Sequence, residues 1–196
     1  MNKKTTCITD EQFDTIVSIL FNGNDKIKKN KEMAIMLTVT GNCGLRIGDC
    51  SKLTIDSFIK EGNDYYYNIK EEKTGKTRST IIPRPIYDML VAYAIGSGKS
   101  TNEPIFDVKI RTLQYKLQQI SKYLGDGYEN ISTHSFRKCA GMRMYRQSGN
   151  DIEMTRRFLN HSSINTTQKY LRVDEEDINT ILKDNYRIPF REVLWQ

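Results

Sequence analysis

The chain's two histidines stand in Thr133-His134-Ser135-Phe136-Arg137 and in Leu159-Asn160-His161-Ser162-Ser163-Ile164-Asn165-Thr166-Thr167-Gln168-Lys169-Tyr170. An H-x-x-R followed by a tyrosine nine residues after the second histidine gathers an acid/base group, a phosphate clamp and a nucleophile. That set is sufficient for breaking a phosphodiester bond without a metal ion. His134 and Arg137 lie three apart, on one face of a first helical turn that Ser132 or Thr133 can cap. The positive end of such a helix also suits a phosphate oxygen. A phenol with its pKa near 10 is a poor nucleophile unless charge or a base assists it, and His161 is the candidate helper. Singly, each feature has an ordinary reading: a capped helix with a surface arginine, a structural histidine, one of 11 tyrosines.

Two further patches carry chemistry-bearing residues. In Gly44-Leu45-Arg46-Ile47-Gly48-Asp49 an arginine follows a glycine turn among apolar residues. Asp49, one turn later, can orient its guanidinium, although a surface pair at this spacing is worth under ~1 kcal/mol. Lys73 stands at the edge of the turn Lys73-Thr74-Gly75-Lys76. A lysine there is either a solvated edge residue or an ammonium donor that a turn brings to a leaving oxygen. Lys76 rivals it for that role.

The elements that must position these residues follow from periodicity. Thr9-Asp10-Glu11-Gln12 predicts a helix start, and Phe13, Ile16, Val17 and Leu20 continue at helical spacing. Glu32 to Val39 is an apolar helix ending near Gly41 and Gly44, and a short helix is expected from Arg46 to Leu53. Ile55–Ile59, Tyr65–Ile69 and Thr77–Ile82 read as strands, the last two forming a hairpin. Pro83 and Pro85 open a helix bearing Ile86, Met89, Leu90 and Tyr93. The remainder reads as helical, with breaks at Gly125-Asp126-Gly127 and Ser148-Gly149-Asn150 and a last amphipathic helix from Asp174 to Leu182. The expected fold is mainly α with a small three-stranded antiparallel sheet, an α+β domain.

Composition narrows the partners. The 196 residues include 30 basic and 24 acidic side chains, a net charge of +6, which suits a polyanion such as nucleic acid. A mean hydropathy of −0.59 and the lack of a long apolar run speak against a membrane protein and for a cytoplasmic one. Cys7, Cys43, Cys50 and Cys139 are scattered without a C-x-x-C pair, so they read as small core or near-core residues. A metal site from Cys43, Cys50 and a histidine lacks the clustering of ligands that zinc needs.

In order, G-L-R-x-x-D at Arg46, the K-T-G-K hairpin at Lys73, H-x-x-R, and L-x-H-S-S-I-x-T-T-x-x-Y resemble the tyrosine recombinase (phage integrase) family. The resemblance covers about residues 9–185 and is most specific from Leu159 to Tyr170. It implies that Tyr170 attacks a DNA phosphate to form a 3′-phosphotyrosyl link, with no cofactor, metal or ATP. It implies further that Arg46 and Arg137 hold the non-bridging oxygens and Lys73 protonates the departing 5′-oxygen. His134 would manage the tyrosine proton, His161 would hydrogen-bond the phosphate, and Asp49 would support Arg46. Asn160 departs from the glycine frequent before that histidine, and Cys43 from a common threonine.

The resemblance also implies partners: double-stranded DNA, like protomers in a tetrameric synapse on it, a monomer away from it, and no membrane. Residues 1–196 then form a single catalytic domain, with an N-terminal extension at 1–8 and a C-terminal helix and tail at 174–196. The N-terminal core-binding domain of the family is expected to be absent, and DNA binding therefore weak. The activity implied is site-specific recombination, with mobile-element integration or excision preferred. A type IB topoisomerase-like activity and a non-catalytic DNA-binding module of the same fold are the alternatives.

Overall fold

The computed structural model describes residues 5–171. Helix α1 (Asp10–Asn22) starts where expected: Thr9 Oγ1 accepts the Gln12 amide at 3.2 Å while Gln12 Oε1 accepts the Thr9 amide at 2.9 Å. This reciprocal box satisfies two amides that a helix start leaves open. Phe13, Ile16 and Leu20 turn inward from α1 onto α2 (Lys31–Cys43), most of whose residues are buried. A helix apolar on nearly every side belongs at the centre of a domain, and α2 is packed on by both α1 and α6 (Thr133–Gln147).

Of the two glycines near which the sequence placed its end, helix α2 runs through Gly41 and stops at Gly44. A Cβ at Gly41 would sit 2.3 Å from the Phe13 ring, so the glycine serves close helix packing and not a break. At Gly44 a left-handed φ of 59° closes the helix. The short helix after it, α3 (Ile47–Cys50), is half the expected length, with Arg46 as its extended N-cap residue.

The sheet is antiparallel in the order β1 (Phe58–Glu61), β2 (Asp64–Lys70), β3 (Thr77–Ile82), and the β2–β3 hairpin lies where expected. The first strand is shifted: residues 55–57 form a 3-10 turn boxed by Thr54 and Ser57, and pairing begins only at Phe58. A serine that bonds back to Thr54 competes with the ladder there. Along β2 and β3 burial alternates, with Tyr67, Arg78 and Ile82 fully inward. Helices α4 (Arg84–Gly96), α5 (Ile110–Leu124), α7 (Ile152–Phe158) and α8 (Ile164–Leu171) complete the described residues.

The break around Gly127 is a loop within the domain, since Gln12 donates to the Gly127 carbonyl at 2.7 Å. Cys43, Cys50 and Cys139 are buried as expected, whereas Cys7 is exposed. The expected helix from Asp174 to Leu182 and the tail beyond it lie outside the described residues.

Candidate active site

The arginines of the site gather at the C-terminal end of α2. Arg137, on the first turns of α6, is 2% exposed and donates from Nη1 to the Gly44 carbonyl at 2.6 Å and from Nη2 to the Leu159 carbonyl. Burial pulls its pKa down to about 10, the neighbouring Arg46 charge adding to the effect, so it remains a cation at neutral pH. Its two carbonyl bonds use part of a five-donor fork and fix the fork's plane.

Arg46 leaves the same corner two residues after Gly44. Its Nη1 lies 2.6 Å from Glu71 Oε2 and 3.9 Å from Asp49 Oδ2. Asp49 therefore pairs with Arg46 as its spacing suggested, but the short contact belongs to Glu71. The other Asp49 oxygen, Oδ1, accepts the Glu72 amide at 2.9 Å and so ties α3 to the hairpin turn.

Helix α6 is capped by Ser132, whose hydroxyl accepts the His134 amide at 3.2 Å. His134 is exposed at this helix start, and its pKa is lowered by loss of solvent contact and then by the charges of Arg137, Lys73, Lys138 and Arg46. It is thus a neutral base near pH 7. Lys73 and Lys76 are both exposed on the turn, and Lys73 is among the leading charges that bear on His134.

Beyond α7 the chain reverses at Asn160, whose φ is +51°. Glycine and asparagine tolerate that left-handed region best, which is why asparagine can stand there. His161 follows, 7% exposed, with Nδ1 3.0 Å from Thr167 Oγ1 and its ring edge-on to Tyr170 at 5.2 Å between centroids. Burial, reinforced by Arg137 and Arg46, drives its pKa down to about 4. His161 is therefore a neutral hydrogen-bonding group.

Tyr170 sits on α8 with Lys138 Nζ 5.7 Å above its ring. Its hydroxyl oxygen is buried and has no hydrogen-bond partner among the described residues. Burial raises the phenol to about 12, against the pull of Arg137, the next largest influence. Arg46, Lys73, His134, Arg137, His161 and Tyr170 are thus brought to one region from four separate stretches of chain.

Sequence reasoning missed Glu71, Arg78 and Thr167. Arg78 is 4% exposed, donates to the Cys43, Gly44 and Phe158 carbonyls, and stacks between the Tyr67 and Phe158 rings. The missed signal was phase. Residues 65, 67 and 69 face inward, so 71 continues that row, and 78 belongs to the inward row of β3 with 80 and 82. Thr167 was visible only as part of the H-S-S-I-x-T-T string.

The arrangement thus gathers a tyrosine, two arginines and two histidines near one corner of the domain. The chain belongs to the phage integrase family, whose model matches residues 7–177. It is 26% identical over 174 residues to tyrosine recombinase XerC of Caldanaerobacter subterraneus subsp. tengcongensis, a match covering 85% of this chain and 48% of that protein. It is 28% identical over 164 residues to the probable integrase/recombinase YoeC of Bacillus subtilis, covering 80% of this chain and 86% of the relative. The chain thus spans about half the length of the XerC relative and most of YoeC.

Solved structures share the fold. XerH site-specific recombinase in a post-cleavage complex with palindromic difH substrate superposes with a TM-score of 0.72 at 17% identity, over 94% of this chain and 55% of that one. The catalytic domain of bacteriophage HP1 integrase gives 0.63 at 16% identity, over 93% of this chain and 96% of that one. Among the described residues no three His, Cys, Asp or Glu side chains converge as a metal site requires, and no helix is long and apolar enough to cross a membrane.

Proposed function

We propose that this protein is a site-specific DNA recombinase that cleaves and rejoins DNA through Tyr170, acting in the cytoplasm on the ends of a mobile element. The carrying observation is the Tyr170 phenol set edge-on to the His161 ring, 5.2 Å between centroids, under the influence of Arg137 and Arg46. In the reaction the Tyr170 oxygen bonds to phosphorus as the phosphorus–O5′ bond breaks. The phenolic proton passes to His134, and Lys73 gives a proton to the departing 5′-oxygen. Arg46 and Arg137 bear the charge that accumulates on the non-bridging oxygens, and His161 donates a hydrogen bond to one of them. Attack by a partner strand's 5′-hydroxyl reverses the sequence onto new DNA. Arginine and lysine supply the positive charge that metal ions supply in other phosphoryl transferases, so the reading needs neither metal nor ATP.

Strand exchange requires two duplexes and like protomers gathered on them, so the acting assembly is a synapse of several copies, four in the family's usual scheme. A covalent selection tests the reading. Randomised duplexes with a nick beside each candidate position let a cut fragment diffuse away and trap the enzyme. SDS-resistant adducts that vanish in Tyr170→Phe, and that transfer the trapped strand to an added 5′-hydroxyl end, are the expected result. Selected duplexes that bind but never become covalently attached would turn the assignment to a binding module.

A further inference from the structure

We propose that Glu71 is a positioning residue that fixes the Arg46 phosphate clamp and the Lys73 general acid to the same carboxylate. This rests on the recombinase reading and adds a residue that the sequence motifs do not contain. Glu71 is fully buried, a costly place for a carboxylate unless it is paired. Its Oε2 accepts Arg46 Nη1 at 2.6 Å and the Thr74 hydroxyl at 2.8 Å. Thr74 adjoins Lys73, so one oxygen atom touches both the clamp and the turn that carries the acid.

The backbone of Glu71 closes the same turn. Its amide donates to the Lys76 carbonyl at 2.9 Å, and its carbonyl accepts the Gly75 amide at 2.8 Å. Its second oxygen, Oε1, stands 3.8 Å from Arg78 Nη1, and Arg78 is itself bonded to the carbonyls that precede Arg46. Although burial opposes it, the Thr74 hydroxyl and the Arg46 guanidinium hold the Glu71 carboxyl below its ordinary pKa, so the anchor keeps its charge. The turn from 72 to 77 is otherwise exposed, and Lys73 has no packing of its own to set its position. An apolar residue in the same inward phase would serve the core equally well. What it would not do is refer two reacting groups to one point.

The experiment uses the whole chain and the duplex recovered by covalent selection. It compares that duplex with a copy in which sulfur replaces the bridging 5′-oxygen at the cut. A thiolate leaves without needing a proton, so a misplaced general acid costs little on the sulfur duplex. Glu71→Gln keeps the shape and removes the charge. Thr74→Val is exposed, leaves the core untouched and guards against a mere folding failure. On the oxygen duplex Glu71→Gln is expected to cut the cleavage rate on the order of tenfold to a hundredfold, and Thr74→Val on the order of threefold to tenfold. On the sulfur duplex the Thr74→Val deficit should vanish and that of Glu71→Gln should shrink to the part owed to Arg46. Rates within twofold of the parent protein on the oxygen duplex, or equal deficits on both duplexes, would overturn the proposal. Lys73→Ala is the separate control: a deficit that sulfur does not rescue takes the general acid away from Lys73 and overturns the proposal, whereas a parent chain that forms no adduct ends the recombinase assignment. In that case amide exchange still decides for Glu71, because faster exchange at Gly75 in both variants supports the tie and unchanged exchange refutes it.

Discussion

Acid should unfold this protein partly through one residue, His161. Its folded-state pKa is about 4, against an ordinary 6.5, because its ring is buried and faces Arg137 and Arg46. Between those values the unfolded chain takes up a proton that the folded chain refuses. The stabilisation is therefore complete above about pH 6.5 and drains away as the pH falls toward 4. At 1.36 kcal/mol per unit the full loss is about 3 kcal/mol, of which about 2 kcal/mol is gone by pH 5. For a domain whose net stability is roughly 5–15 kcal/mol that is a large share.

The assay is urea unfolding from pH 7.5 to 4.5, run on the parent chain and on His161→Gln. The carboxylates held low by arginines, Asp10, Glu71 and Glu153, also release stability in acid, but they are common to both chains and cancel in the difference. So does His134, whose lowered pKa works in the same direction. The parent is expected to lose stability faster than the variant as the pH falls, the two curves diverging by about 2 kcal/mol at pH 5. With only two histidines in the chain, the variant also assigns the ring-proton resonances. Parallel unfolding curves, or a His161 resonance titrating near 6.5, would refute the reasoning and with it the neutral role given to this ring.

Tyr170→Phe should abolish the covalent adduct while leaving the unfolding midpoint close to that of the parent, because the hydroxyl it removes is buried without a hydrogen-bond partner among the described residues. Arg46→Lys should cost on the order of a hundredfold in single-turnover cleavage, since a point charge cannot both keep Glu71 and present a second edge to a phosphate. Gly41→Ala should destabilise by about 1–3 kcal/mol in urea titrations, because its methyl would enter the Phe13 ring at 2.3 Å.

The six candidate side chains were legible in the sequence because chemistry limits which residue types can serve. Each of the six arises in a short string whose spacing survives folding, as His134 and Arg137 do on one capped turn. The supporting residues were not legible because nothing local marks them. Glu71 and Arg78 look like hairpin-flanking charges, and only the alternation of the paired strands turns them inward. Gly41, with Gly44, looked like a helix end because glycine usually weakens helices; at Gly41 tertiary packing against Phe13 overrode that preference. Likewise Ile55–Ser57 has strand-like composition at its first residue, yet a serine hydroxyl captured the backbone before pairing could begin.

The charge balance of the cluster constrains the order of events. Arg46, Arg78 and Arg137 bring three guanidinium charges together, and Glu71 and Asp49 return two. Both histidines are held neutral, so these five groups leave one positive charge uncancelled, and Lys73 and Lys138 at the rim of the site add to it. Its carbonyl lining at the end of α2, where Gly44 accepts from both Arg78 and Arg137, spreads that charge without removing it. A phosphodiester carries one negative charge, and more gathers on its oxygens as the nucleophile arrives, so the site matches the transition state better than the resting duplex. The same balance bears on Tyr170. Arg137 is the leading influence that lowers its pKa, and a bound phosphate takes up that positive charge. Free phenolate ahead of attack is thus disfavoured twice, by burial and by the substrate. On the proposed recombinase mechanism, proton transfer to His134 then accompanies bond formation to phosphorus and does not precede it.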